Sequence, residues 1–217
     1  MVSGNSLYLK YLEFKTAVKD SEVFLPYSCV LEGLIDSGHL KKTAHVQLSD
    51  WTELEYRGDD LNADIKKLRK EYYMVTVSDK VIPKSWLAIN SVLSDLATQS
   101  KKSLSIYVPY YDLTVAKYFK DFAKLQIKKT ISLYPPGGHI DKIDATKAVS
   151  ELKANGFDCT FCSRGNHAKA YLFDDKAAVV GSFNFTKNGI YSNNELGTLF
   201  FGKNVVALKT FLDENYN

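Results

Sequence analysis

Residues 167–184 read HAKAYLFDDKAAVVGSFN, and this stretch decides how the chain is interpreted. A histidine, a lysine and an aspartate follow the spacing H-x-K-x4-D, and Gly-Ser-x-Asn comes after six further residues. Six specified residue types, each used at roughly 5%, match a given starting position with a probability on the order of 10⁻⁷ to 10⁻⁸. The pattern therefore supports the hypothesis that these residues form a functional site.

The stretch has the pattern of two strands joined by a tight turn. Apolar runs flank the tripeptide DDK at 174–176, and aspartate favours turns because its side chain can bond its own backbone. If the two aspartates form the loop, His167 lies opposite Ser182, and period-two alternation puts His167 and Lys169 on one face. Asn184 then follows just beyond the strand end. A longer turn would change this register.

Four polar side chains then converge at one end of an apolar hairpin, and this cluster suits a phosphodiester. Lys169 matches the phosphate charge with a compact cation that has three donors. Ser182 and Asn184 add neutral donors for the equatorial oxygens, which carry charge in the transition state. Histidine is partly neutral at pH 7, and the imidazole of His167 can attack phosphorus to form a covalent intermediate. Glu195 is a candidate for the acceptor that orients this ring.

These residues resemble the phospholipase D superfamily, whose HKD motif is followed by G-S-x-N and a downstream Asn-Asn-Glu. The match holds at seven positions: His167, Lys169, Asp174, Gly181, Ser182, Asn184 and Glu195. The resemblance implies an α/β fold of the phospholipase D type, with a mixed sheet flanked by helices on both faces. It gives Asp174 a supporting structural role among the catalytic residues, and the same residue is a natural turn former.

The resemblance also implies a reaction, namely metal-independent phosphodiester transfer through a phosphohistidine, without a cofactor. In that reaction His167 is the nucleophile and Glu195 orients it. Lys169 and Asn184 bind the phosphate, and Ser182 assists them.

The superfamily uses two such motifs, and the second histidine protonates the leaving group. This chain contains one intact copy. Because the chemistry needs a second acid, we expect a homodimer through the catalytic half. His139, in the loop PPGGH at 135–139, is the alternative in-chain acid; it is otherwise an ordinary turn histidine.

The first half of the chain echoes the order of the second. VFLPY at 23–27 resembles IYVPY at 106–110, and MVTVS at 74–78 falls where 158–162 falls. This pattern predicts two similar lobes that arose by duplication. A basic helix is predicted at 63–73.

At the place of a second motif, the first half departs from the pattern. Ile82 stands where the histidine is expected, although Lys84 aligns with Lys169. Pro83 is predicted to open a helix that continues through Leu96. We therefore divide the chain into residues 1–100, a degenerate phospholipase D-like lobe or an accessory α/β region, and residues 101–217, the catalytic lobe.

The second half alternates strands with helices, which favours an α/β sheet covered on both faces. Strands are predicted at 103–109, 130–134, 157–162 and 197–201, and helices at 113–125, 143–154 and 205–214.

Composition sets few limits on function. The 217 residues carry a net charge of +3 and a pI near 8.5, which permits a polyanionic partner without requiring one. Neither a membrane span nor a signal peptide is evident, so a cytoplasmic protein without stable membrane association is expected. Cys159 and Cys162 form a C-x-x-C within a predicted strand, where they point to opposite faces, so no metal site is expected.

The function expected from the sequence is an endonuclease that acts on DNA or RNA. Tyr110 and Tyr111 end another predicted strand and can stack on bases or pack in the core. One alternative keeps the chemistry but acts on lipid, as a phospholipid hydrolase or phosphatidyltransferase. The other is a non-catalytic nucleic-acid-binding module with a vestigial site, although such a binder has no evident need for both His167 and Glu195.

Overall fold

The computed structural model describes residues 6–41, 48–68, 72–77, 86–137, 141–163 and 167–216. The chain divides into two compact units, Met1–Lys70 and Glu71–Asn217. The predicted division at residue 100 stays a prediction. The strands after residue 71 join the sheet that carries the motif.

The first unit contains a small antiparallel sheet and helices. Its elements are β1 (Leu7–Lys10), α1 (Tyr11–Asp20), α2 (Tyr27–Asp36), β2 (Glu53–Tyr56) and α3 (Leu61–Lys67). β1 pairs with β2. The resemblance of residues 23–27 to 106–110 predicts a strand at 23–27, and this prediction is wrong, because Pro26 is the N-cap of α2 and its fixed φ suits a helix start. The basic helix predicted at 63–73 corresponds to α3, which ends earlier. The duplication of the two halves stays a prediction.

The second unit contains the larger sheet. Its strands are β3 (Tyr72–Val77), β4 (Trp86–Ala88), β5 (Ser103–Tyr107), β6 (Lys128–Leu133), β7 (Phe157–Phe161), β8 (Ala170–Phe173), β9 (Ala177–Gly181) and β10 (Glu195–Phe201). Its helices are α4 (Ile89–Gln99), α5 (Leu113–Tyr118), α6 (Lys142–Ala154) and α7 (Lys203–Tyr216), with a 3₁₀ helix at Phe119–Lys124 and a π-helical turn at Asn188–Ser192.

The larger sheet is mixed, as the sequence predicted. Across the described residues its order is β4-β3-β10-β9-β8-β5-β6-β7. β5, β6 and β7 run parallel, and α5 and α6 connect them. β8, β9 and β10 pair antiparallel with both of their neighbours, and β3 pairs antiparallel with β10. The parallel part matches the alternation read from the sequence, and the antiparallel part contains the motif hairpin.

Helices cover both faces of this sheet. On one face, Tyr107, Ala170 and Leu172 pack with Val205 and Leu212 of α7. The opposite face is also buried, and α4 packs there against β3 and β8. The prediction of a mixed sheet flanked by helices on both faces is confirmed.

One predicted helix begins later than expected. Pro83 lies outside the described residues, and Trp86 to Ala88 form β4 rather than helix. These residues pair in parallel with β3, and α4 begins at Ile89. The sequence shows helical spacing here, but pairing with a neighbouring strand overrides it.

Candidate active site

The motif hairpin has a different register from the one expected. Phe173 pairs with Ala177, so the loop has three residues instead of two. Asp174 (φ 52°) and Asp175 (φ 54°) are left-handed, and the turn closes where the Lys176 N–H donates to the Phe173 carbonyl at 2.9 Å. The ladder begins one residue later, and every pair moves by one position.

Because of this shift, Ser182 does not lie opposite His167. Ser182 instead continues the pairing of β9 with β10, and its backbone N–H donates to the Leu196 carbonyl at 3.0 Å. His167 and Lys169 do share one end of the hairpin, as predicted. The His167–Lys169 pair and Ser182 therefore make their contacts along two different strand pairs.

Asp174 lies in the turn, at the opposite end of the hairpin from His167. Its carboxylate accepts three backbone hydrogen bonds, from Lys101 N (2.6 Å), Lys102 N (2.7 Å) and Ser103 N (2.8 Å). The residue is only 5% exposed. Seven extended residues span roughly 20 Å, so Asp174 is far from the imidazole. Its carboxylate ties the hairpin turn to the start of β5.

His167 and Lys169 form a direct pair. The Lys169 ammonium donates to His167 Nδ1 at 2.9 Å and to the His167 carbonyl at 3.1 Å. Lys169 is buried (8% exposed), whereas His167 is exposed. Burial lowers the pKa of Lys169, and the negative charge of Glu195 partly opposes this effect. A cation is thus held in a partly desolvated position beside an accessible ring.

Glu195 occupies the start of β10 and joins the site through other residues. Ser182 Oγ donates to Glu195 Oε2, and Asn193 Nδ2 donates to Glu195 Oε1 at 3.1 Å. The Leu196 N–H donates to Ser182 Oγ at 3.2 Å. The negative charge of Glu195 acts on Lys169 through space and favours its protonated form. An orienting role of Glu195 toward His167 stays a prediction.

Two glycines give the site its shape. Gly181 and Gly197 face each other across β9 and β10, and the Phe183 ring lies against both. A Cβ on Gly197 would lie 2.4 Å from Phe183 Cε2, and a Cβ on Gly181 would lie 2.6 Å from the same atom. The glycine of Gly-Ser-x-Asn therefore makes room for the aromatic ring that occupies position x.

Asn184 lies in the loop that follows β9. A Cβ on Gly189 would meet the Asn184 backbone oxygen at 2.5 Å, so that glycine lets the π-helical turn pack closely against Asn184. Within the described part of the chain, the buried Oδ1 of Asn184 has no hydrogen-bond partner. The side-chain amide therefore retains hydrogen-bonding capacity that the protein does not use.

Aromatic rings complete the site at the carboxyl ends of β5 and β6. The Tyr110 ring meets the His167 ring edge-to-face at 5.8 Å, and it meets Tyr134 in the same manner at 5.6 Å. Tyr111 is buried and donates to the Tyr134 carbonyl at 3.0 Å. Burial raises the pKa of Tyr111 to about 12. Of the two tyrosines considered for stacking, Tyr110 is the one beside the site, whereas Tyr111 packs in the core.

Three further residues discussed from the sequence lie outside the part of the chain that the structure describes, namely Ile82, Lys84 and His139. No group of three or more metal-ligating side chains occurs among the residues that the structure describes. Cys159 is partly buried, and burial raises its pKa to about 11. Among described residues, no helix is both long and apolar enough to cross a bilayer.

The family model described as "Cardiolipin synthase, PLD-like domain" matches residues 93–210, which is more than half of the chain. The chain belongs to the phospholipase D superfamily. The family expected from the H-x-K-x4-D motif is confirmed. The matched range begins within α4 and includes β5 to β10, so it covers every site residue described above.

Two solved structures are similar to this phospholipase D-like chain. The phospholipase D family member Nuc from Salmonella typhimurium superposes with a TM-score of 0.53 at 18% identity, over 67% of this chain and 93% of Nuc. NucT from Helicobacter pylori gives a TM-score of 0.48 at 19% identity, over 66% and 95% of the two chains. At this identity, the likeness to Nuc shows a shared fold.

A curated relative matches a shorter part of the chain. The DISARM protein DrmC of Bacillus paralicheniformis is 42% identical over 48 residues, which is 22% of this chain. The match spans 20% of the length of DrmC, so the similarity concerns a segment and not the whole protein.

The structure adds three residues that motif reading missed in this phospholipase D-like site. Phe183, Gly197 and Asn193 support Ser182 and Glu195 by packing or hydrogen bonding. Asn193 belongs to the Asn-Asn-Glu segment, of which the sequence pattern singles out only Glu195. Gly197 follows Glu195 by two residues. A glycine within a predicted strand could have indicated its role, because such a glycine often marks a close approach of neighbouring groups.

Proposed function

We propose that this phospholipase D superfamily protein is a metal-independent phosphodiesterase that cleaves DNA or RNA through a phosphohistidine at His167. The observation that supports the proposal best is the pair formed by His167 and Lys169. Nδ1 of the exposed His167 ring lies 2.9 Å from Nζ of Lys169, and the Lys169 side chain is buried. A phosphodiester that binds this ammonium brings its phosphorus to the ring.

The pair suggests how substrate binding prepares the nucleophile. An ammonium can only donate, so His167 Nδ1 accepts, and the neutral ring then has its proton on Nε2. A phosphate oxygen that takes the hydrogen bond of Lys169 releases this nitrogen. Because the ring is exposed, solvent can exchange its proton between the two nitrogens. The ring then has a lone pair free to attack phosphorus while Lys169 holds the phosphate charge.

The reaction proceeds in two displacements. In the first, the ring nitrogen forms a bond to phosphorus, the bond from phosphorus to the leaving oxygen breaks, and that oxygen takes a proton from a general acid. In the second, a water oxygen attacks phosphorus, the nitrogen–phosphorus bond breaks, and the deprotonated acid takes the proton of the water. Splitting the reaction in this way replaces one difficult step by two easier ones. Asn184 and Ser182 hold the equatorial oxygens.

The general acid must come from a second histidine. We propose that a second copy of the chain supplies it by dimerisation through residues 101–217, with His139 as the in-chain alternative. Residues 1–100 are then an accessory or degenerate region. We place the activity in the cytoplasm, where free cysteines such as the three in this chain are usual.

Nucleic acid is favoured as the substrate by features around the site. Tyr110 lies beside His167 and can stack on a base, and the chain is mildly basic. One observation favours a second candidate, because the matching family model is described by cardiolipin synthase. A phosphatidyl group would use the same phosphohistidine. The two candidates differ in what surrounds the phosphodiester.

The test is incubation of the purified chain with labelled DNA, RNA and phospholipid panels in excess EDTA. Cleavage of nucleic acid that persists in the chelator is the expected result. His167→Asn should abolish it and leave the thermal unfolding midpoint unchanged. His39→Asn is the matched control, since His39 contacts Asp64 in the first unit. Full loss on chelation would exclude the metal-free mechanism, and turnover of lipid alone would select the second candidate.

Oligomeric state is tested separately by light scattering. A dimer, together with specific activity that falls on dilution below its dissociation constant, is the expected result. A fully active monomer would move the acid to His139 or to another residue of the same chain.

A further inference from the structure

A polar groove lies next to the site and takes no part in the chemistry proposed above. It has a volume of about 590 Å³, within the range of pockets that hold small ligands, roughly 300–1,000 Å³. One wall is the start of α5, with Thr114 and Lys117. The other wall is the loop after Asn184, with Thr186, Lys187 and Asn188.

The groove is continuous with the site through the backbone. The Phe185 N–H donates to the Tyr110 carbonyl at 3.0 Å, and the Asp112 N–H donates to the Phe185 carbonyl at 3.1 Å. Tyr110 contacts His167, and Asn184 precedes Phe185. Both walls are therefore direct extensions of segments that form the site.

Two exposed tyrosines lie on the segments that supply these walls. Tyr118 directly follows Lys117 in α5, and Tyr191 lies in the π-helical turn that begins at Asn188. Their rings meet edge-to-face at 5.4 Å, and they are 42% and 38% exposed. Burial, with a contribution from Tyr118, raises the pKa of Tyr191. Exposed neutral rings of this kind are surfaces on which bases stack.

The charged side chains of the groove differ in the partners that they have. Within the described ranges, neither Lys117 nor Lys187 forms an ion pair through its ammonium. Both carboxylate oxygens of Asp112 already accept hydrogen bonds from backbone N–H groups, Oδ1 from Val115 at 2.9 Å and Oδ2 from Lys187 at 2.6 Å. Asp144 is exposed at the start of α6 and opposes an anion. The groove thus contains two lysines whose ammonium groups form no ion pair among the described residues, and two aspartates, of which Asp144 is the exposed one.

We propose that this groove binds the segment of a single-stranded nucleic acid that leads away from the scissile phosphodiester. Lys117 and Lys187 contact its phosphates, and Tyr118 and Tyr191 stack on its bases. A duplex keeps its bases stacked on one another, so it does not offer their faces to these rings. The inference rests on the proposed function and adds strandedness to it.

Binding is measured without cleavage in the His167→Asn background of the full chain. The probe is a fluorescent 12-nucleotide oligothymidylate, followed by anisotropy over a range of salt concentrations. Lys117→Gln with Lys187→Gln should lower the slope of log K against log salt by about 1.4, since each single-strand phosphate contact accounts for about 0.7. The matched control is Lys128→Gln with Lys203→Gln at the opposite end of the sheet, which should leave the slope unchanged.

The aromatic part of the proposal has its own variants. Tyr118→Ala and Tyr191→Ala should each weaken binding of the oligothymidylate by roughly 5- to 150-fold, while the corresponding phenylalanine variants keep wild-type affinity. Phe211→Ala, at an exposed position of α7, is the control for loss of an aromatic side chain. Asp144→Asn should tighten binding several-fold.

Failure of this inference is distinguishable from failure of the proposed function. Bis(p-nitrophenyl) phosphate contains one phosphodiester and is too short to reach the groove. Groove variants in an otherwise wild-type chain should hydrolyse it normally and show a raised KM for the oligonucleotide. Wild-type protein that turns over neither compound refutes the proposed function. Unchanged oligonucleotide affinity in the groove variants, or equal losses for duplex and single strand, overturns the inference.

Discussion

Replacement of Asp174 tests whether the aspartate of the motif serves the fold or the chemistry. Its carboxylate accepts three backbone hydrogen bonds from residues 101–103, at 2.6 to 2.8 Å, and lies about 20 Å from the imidazole of His167. We expect substitutions to lower the free energy of unfolding and to leave turnover by folded protein unchanged. Three variants separate the contributions of the hydrogen bonds from that of the backbone conformation.

The magnitudes follow from the contacts. A hydrogen bond to a charged group contributes about 1.5–3 kcal/mol, and neighbouring bonds are not fully additive, so loss of all three should cost about 4 kcal/mol in Asp174→Gly. Asp174→Ala should cost about 1 kcal/mol more, because alanine disfavours the left-handed φ of 52°. Asp174→Asn tolerates this φ and keeps Oδ1 for two bonds, but it turns an amide donor toward the Lys101 N–H. It should cost about 2 kcal/mol.

Thermal and urea unfolding measure these losses. For a chain of this size, each kcal/mol lowers the midpoint by about 2–4 °C, so the asparagine variant should lose roughly 4–8 °C and the alanine variant roughly 10–20 °C. Turnover is measured at 15 °C, where the asparagine variant stays folded, and should lie within about twofold of wild type. An asparagine variant with an unchanged midpoint and a hundredfold lower kcat would refute the structural assignment.

Three further substitutions test the site. Lys169→Met should abolish turnover and raise the free energy of unfolding at pH 7 by about 1 kcal/mol, because it removes a buried ammonium. Burial lowers the pKa of Lys169 below 10.5, so the unfolded chain binds this proton more tightly than the folded chain does. The gain in unfolding free energy of Lys169→Met should therefore be full below the folded pKa and shrink as the pH rises toward 10.5. A gain that grows with pH would contradict this reasoning. Gly197→Ala should cost about 1–3 kcal/mol in urea unfolding and lower turnover, since the added Cβ would lie 2.4 Å from Phe183 Cε2; a variant as stable and active as wild type would show that the ring shifts freely. Ser182→Ala should change the unfolding free energy by less than about 0.5 kcal/mol, because Ser182 is exposed, yet lower kcat because Glu195 loses a donor; equal kcat would remove Ser182 from the site.

The hairpin shows where prediction from sequence stops. The apolar runs around DDK predict two strands, because burial against a core leaves this pattern. The pattern does not determine the length of the loop, since hairpin loops of two residues and of three residues can both contain two consecutive aspartates. The observed three-residue loop moves Ser182 from β8 toward β10. One residue of turn length thus decides which strand a functional hydroxyl meets.

The position of β3 and β4 shows the same limit on a larger scale. Residues 74–78 echo the strand at 158–162, and a helix is predicted from Pro83 through Leu96, so the sequence suggests a separate lobe. In the structure β3 pairs along most of β10, so β3 and β4 extend the sheet that carries the motif. Strand pairing between segments more than a hundred residues apart leaves no local pattern, because each strand only needs to be apolar and extended.

The sequence by itself determined the superfamily and the α/β character of residues 103–216, and it named the side chains proposed for the chemistry. It could do so because reactive groups and turn formers are local properties of residues. Only the tertiary structure decided the partners of Asp174, the contact of Phe183 with Gly181 and Gly197, and the pairing of Ser182 with Glu195. These contacts join segments that are distant in the chain or set by strand register, and packing of the whole sheet selects them.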